Sequence, residues 1–88
     1  MTINYEKSFL KDIQKLNDKK VATKLKSLIE EFEQIPNLQN ITNIKKLKGF
    51  EIYYRLKIGN YRLGFSYQDN QIDLIRFLHR KDIYKLFP

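Results

Sequence analysis

The chain has 88 residues, with 17 Lys and Arg against 10 Asp and Glu for a net charge of +7, 42% hydrophobic residues and no cysteine. That hydrophobic content predicts one folded domain over residues 1–88, and the lack of cysteine excludes disulfides, thiol nucleophiles and cysteine-ligated zinc. No apolar run approaches the ~20 residues that span a bilayer, and the opening Met1–Lys7 is too polar for a signal peptide, so a cytoplasmic protein without a membrane partner is expected.

The charge is uneven. Residues 1–44 hold seven Lys against six acids, whereas residues 45–88 hold ten Lys and Arg against four. A basic half on so small a chain points to an anionic partner, with nucleic acid ahead of an acidic protein or a membrane surface.

In chain order, Thr2–Tyr5 is β-prone and predicts a first strand. Ser8 or Glu6 then opens a helical pattern carrying Phe9, Ile13 and Leu16 at spacings of four and three. Asn17-Asp18 interrupts it, and Asp18 suits the N-cap of a second helix that ends before Pro36. Val21, Leu25, Leu28, Ile29 and Phe32 form that helix's apolar stripe, and the two helices make an antiparallel hairpin. Residues 36–51 read as a connector, with Lys45, Lys46 and Lys48 as a basic run suited to phosphate contacts.

Ile52–Ile58 and Tyr61–Tyr67 both alternate with period two and read as strands. Only Gly59-Asn60 separates them, and a leading glycine suits a type II′ turn. That turn sets Ile58 against Tyr61, Lys57 against Arg62, Leu56 against Leu63, Arg55 against Gly64 and Tyr54 against Phe65. One face then carries Ile52, Tyr54, Leu56, Ile58, Tyr61, Leu63, Phe65 and Tyr67, and reads as core. The other carries Tyr53, Arg55, Lys57, Arg62, Gly64 and Ser66. Like charges set opposite each other cost a few tenths of a kcal/mol, and an anion bound on that face would offset the cost.

After a turn at Gln68–Gln71, Ile72–Leu78 reads as a third strand of the meander, apolar enough to lie mid-sheet. His79–Pro88 leaves the sheet as a loop or one helical turn. The expected architecture is α+β: an N-terminal strand, then a helical hairpin packed on a mainly antiparallel sheet with a C-terminal three-strand meander, in the order β-αα-βββ.

One histidine and scattered acids give no metal-ligand spacing, so no metal or cofactor is expected. Ser66, His79 and Asp73 lack a nucleophile elbow around the serine. What remains is a set of cations and phenols: Arg55, Lys57, Arg62, His79, Arg80, Lys81 and Tyr84. Such a set suits metal-free RNA cleavage, in which the ribose 2′-OH is the nucleophile and the protein supplies positioning, a base, an acid and positive charge. Arginine stays protonated and cannot be the base. Lys57, crowded by two arginines that disfavour its charged form, is one candidate. His79 is the other, since imidazole ordinarily changes charge near neutral pH.

Four strings, Lys46-Leu47-Lys48-Gly49, Tyr54-Arg55-Leu56-Lys57, Gly59-Asn60-Tyr61-Arg62-Leu63 and His79-Arg80-Lys81-Asp82-Ile83-Tyr84, together resemble the RelE/ParE superfamily of type II toxins. The resemblance covers residues 46–84, and the helical hairpin before them fits the same fold. It implies a toxin that enters the ribosomal A site, cuts mRNA there and is restrained by a cognate antitoxin. By position, it implies Arg55, Lys57, Arg62, Arg80 and Tyr84 as catalytic; from the residues themselves, His79 is an alternative base and Lys45, Lys46, Lys48 and Lys81 are candidate RNA contacts. RelE has lysine where this chain has Arg55, which leaves Lys57 or His79 as the base. The ParE branch implies a different outcome, non-enzymatic inhibition of DNA gyrase, and a degenerate toxin would act only as a binding module.

Overall fold

A computed structural model describes residues 1–88. The elements are β1 (Thr2–Tyr5), α1 (Lys7–Gln14), α2 (Lys19–Gln34), β2 (Ile44–Lys46), β3 (Tyr53–Ile58), β4 (Tyr61–Gln68), β5 (Gln71–His79) and α3 (Arg80–Leu86). The strands form one sheet in the order β1-β5-β4-β3-β2. All pairs are antiparallel except β1 with β5.

The β3–β4 register is the one the turn dictates, from Ile58 against Tyr61 back to Tyr54 against Phe65. Gly59 takes φ +57° at the first turn position, where a side chain would be strained. In the next hairpin Asp69 and Asn70 both take positive φ, the pattern of a type I′ turn. α2 begins where Asp18 accepts a hydrogen bond from the Val21 N–H at 3.1 Å.

The two long helices cover one face of the sheet. There Phe9, Val21, Leu25 and Phe32 meet Leu56, Ile58, Leu63, Phe65, Ile72, Leu74 and Phe77 in a single cluster. Phe65 is enclosed between Tyr54, stacked at 5.6 Å between ring centroids, and Phe32, tilted at 5.6 Å.

Only the first half of β5 has β1 beside it. Along the second half α1 takes the place of a strand: Ser8 Oγ donates to the Ile75 carbonyl at 2.6 Å, and Asp12 Oδ2 accepts from the Phe77 N–H at 2.9 Å. Asp12 also accepts from Arg76 Nε and Nη2 at 2.8 and 2.9 Å. That hydrogen-bonded pairing, acting against partial burial, raises the Arg76 pKa above the ordinary arginine value. A register shift between Gly64 and Phe65 leaves Ile75 without a partner on β4.

Three features depart from the sequence expectation. The connector contains β2, whose three residues pair with β3. The C-terminal segment forms α3, seven residues rather than one turn. The outer face is also partly apolar, because α3 lays Ile83 and Phe87 beside Leu47, Tyr53, Ile75 and Leu78. Gly64 makes room for this: a Cβ there would lie 2.7 Å from the Phe87 ring. A glycine inside a strand commonly marks such a close approach.

Candidate functional site

The part of the outer face that α3 leaves open is built by cross-strand pairing. Lys57 stands opposite Arg62, and Lys45 opposite Arg55. Two like-charged pairs on neighbouring strands make a four-cation patch, a local cost that folding alone does not explain. Lys45, Arg55, Lys57 and Arg62, with Asn43 and Tyr84, line a cavity of about 150 Å³. No acidic side chain lines it.

Each group is held by something the fold supplies. Arg62 Nη1 donates to the carbonyls of Gly59 at 3.0 Å and Tyr61 at 2.9 Å, which fixes the guanidinium against the hairpin turn. Its Nε and Nη2 donors are left for a ligand. Arg55 lies 4.4 Å from the centre of the Tyr84 ring, a cation–π contact that ties the strand to the helix. Tyr84 itself is 62% exposed, because the adjacent Ile83 is the residue that buries. The Lys57 N–H donates to the Asn43 carbonyl at 3.0 Å, and Asn43 takes φ +62° to present it.

The structure therefore brings together Arg55, Lys57, Arg62, Tyr84 and Lys45. His79 does not line this cavity. It is the register partner of Tyr61, an inner-face residue, and its ring meets the Tyr61 ring edge-on at 5.6 Å. Its Nδ1 accepts from the Lys81 N–H at 3.2 Å, so the imidazole caps α3. Arg80 and Lys81 are exposed in the first turn of α3, and neither lines the cavity. The Arg80 N–H is tied to the Asn60 carbonyl at 2.8 Å, beside the turn that holds Arg62. Lys46 is opposite Tyr54, an inner-face position, and Lys48 lies beyond the strand. Of the basic run, only Lys45 alternates onto the cavity side. The residue that sequence reasoning missed is Asn43; the one signal for it was a turn-forming Thr42-Asn43 pair before a short β-prone stretch.

A small α+β domain with its two longer helices on one side of the sheet, and a cation-lined cavity beside a short C-terminal helix on the other, is the class these features define. Residues 3–84 match the family described as ParE toxin of type II toxin-antitoxin system, parDE. The chain is 37% identical over 89 residues to Toxin RelE3 of Methanocaldococcus jannaschii, covering 100% of both chains. It is 32% identical to the Putative toxin RelE1 of the same organism, over 91% of this chain and 89% of that one. Among solved structures, the RelB-RelE antitoxin-toxin complex from Methanococcus jannaschii superposes with a TM-score of 0.84 at 36% identity, over 97% of this chain and 99% of the other. The chain belongs to the ParE toxin family, within the RelE/ParE superfamily of type II toxins.

Proposed function

We propose that this type II toxin is a ribosome-dependent mRNA endoribonuclease, and that the outer-face cavity is where the phosphodiester is cut. The observation that carries the reading is the gathering of Arg55, Lys57, Arg62 and Tyr84 around one small, acid-free cavity. A polyanion is the ligand whose charge such a cavity complements, and the ribose 2′-OH of RNA brings its own nucleophile.

In the proposed reaction Lys57 takes the proton of the 2′-OH. The 2′-oxygen attacks the adjacent phosphorus, and the bond to the 5′-oxygen breaks. That oxygen takes up a proton from water, leaving a 2′,3′-cyclic phosphate and a 5′-hydroxyl end, and Lys57 returns the proton it took to solvent. Arg55 and Arg62 stabilise the extra negative charge of the pentavalent state, held in place before it forms. No metal is needed, because these cations supply the charge a metal would otherwise bring. Tyr84, exposed and backed by Arg55, is placed to stack on a base. A cognate antitoxin is the proposed protein partner, as the RelB-RelE complex of the M. jannaschii relative supports.

The test maps mRNA 5′ ends on translating ribosomes with wild-type protein and with Arg62→Ala. Cuts at A-site codons, falling about 100-fold in the variant, are expected. Intact mRNA with the wild type contradicts the reading. The match to the ParE pattern favours a second reading, inhibition of gyrase without catalysis. It predicts loss of DNA supercoiling activity and no cut ends, with Arg62→Ala as potent as the wild type.

A further inference from the structure

The cation cavity encloses about 150 Å³, well below the roughly 300–1,000 Å³ of sites that enclose a small organic ligand. It suits a phosphate with part of its ribose. A strand whose scissile phosphate sits there has to place the neighbouring nucleoside somewhere else. A trough of about 450 Å³ lies next to it, between α2 and residues 40–43, and shares two walls with it, Asn43 and Lys57. No other cavity of the molecule shares a lining residue with the cation cavity.

The trough's chemistry differs from that of its neighbour. Thr23, Ser27, Asn40, Thr42 and Asn43 bring hydroxyls and amides, Leu28 and Ile41 bring apolar surface, and Glu31 brings a single carboxylate that can accept from a base amino group or a ribose hydroxyl. Hydroxyls and amides both donate and accept, as base edges and ribose hydroxyls require, and a base presents an apolar face to stack or pack. Asn43 divides the two spaces. Its left-handed backbone costs energy for a non-glycine residue, yet places its carbonyl on the Lys57 N–H. Lys24 lines both the trough and a further cavity, which Lys19 and Lys20 also line. A cation beyond a base is where the next phosphate of a strand would fall.

We infer that this trough is a nucleoside subsite for single-stranded RNA, taking the ribose and base of the nucleotide next to the phosphate held by Arg55, Lys57 and Arg62. The inference rests on the RNA-cutting reading of the cation cavity and adds to it a place where sequence preference arises.

The test is backbone amide NMR of the full chain with two probes, inorganic phosphate and an uncleavable RNA trinucleotide with a 2′-deoxy group at the cut position. Phosphate is expected to shift signals of Lys45, Arg55, Lys57 and Arg62 alone. The trinucleotide is expected to shift those and also Ser27, Asn40 and Thr42. Trinucleotide shifts confined to the cation cavity, or no shifts at all, overturn the subsite. Ser27 is an exposed helical position, so Ser27→Trp fills the trough without entering the core. It is expected to weaken trinucleotide binding about tenfold and leave phosphate binding unchanged. Gln14→Trp, exposed on α1, controls for a bulky surface residue. Equal trinucleotide affinity in wild type and Ser27→Trp also overturns the subsite. If the trinucleotide shifts appear but ribosomal mRNA stays intact, the subsite stands and the cleavage reading fails.

Discussion

The two faces of the sheet are built from the same strands and do opposite things. On the inner face, Leu63, Phe65, Ile72 and Leu74 are wholly enclosed by one another and by the helices. On the outer face, Lys57 against Arg62 and Lys45 against Arg55 hold like charges together around an open cavity. The period-two alternation of a strand makes this division possible, since each residue serves one face only. It follows that stability and ligand binding are separable by mutation. Free energy gathered on the inner face offsets repulsion that the outer face keeps available for an anion.

The largest effects are expected on the inner face. Phe65→Ala removes the ring between Tyr54 and Phe32 and is expected to cost about 3–5 kcal/mol in urea unfolding, enough to unfold much of the protein. Asp12→Asn weakens the link that holds Arg76 and the Phe77 N–H, with an expected loss of about 2 kcal/mol. The resolved shift in that link lies on Arg76. A raised pKa means its contribution is complete below the ordinary arginine value and lost only as pH rises through the raised one. Unfolding free energies of wild type and Asp12→Asn should therefore differ by a constant amount through the neutral range.

Gly64→Ala tests the seam between the faces. The new methyl meets the Phe87 ring, α3 has to shift, and about 1 kcal/mol of stability should be lost. Because α3 carries Tyr84, RNA binding should weaken with it. The smallest effect sharpens the contrast most. Lys45→Glu sets an acid opposite Arg55, and is expected to stabilise the protein by about 0.5 kcal/mol while weakening RNA binding. Anisotropy titration beside thermal unfolding reads both.

Much of this division was legible from residues. Gly59-Asn60 set the register of β3 and β4, and with it the pairing of Lys57 with Arg62. Asp18 marked the start of α2. The rest was hidden for physical reasons. β2 is three residues long and lysine-rich, which suits an exposed sheet edge and erases the apolar alternation a strand normally shows. The α3 segment is too short for helical periodicity to stand out. Its signals were the spacing of Ile83 and Phe87, four apart, and a mid-strand Gly64 awaiting something to lie on it. The position of His79 turned on one residue. Unbroken alternation from Ile72 would send Leu78 inward and His79 outward to join the cations. The unpaired Ile75 reverses the alternation, so Phe77 points inward and His79 follows it.

The most direct test of the central claim measures unfolding free energy and cut frequency on translating ribosomes for Lys57→Ala, in the same preparation. Lys57 is exposed and its side chain holds no part of the fold together. The account predicts stability within about 0.5 kcal/mol of wild type and cutting reduced about 100-fold or more. Cutting at the wild-type level, or lost only in proportion to lost stability, would contradict it.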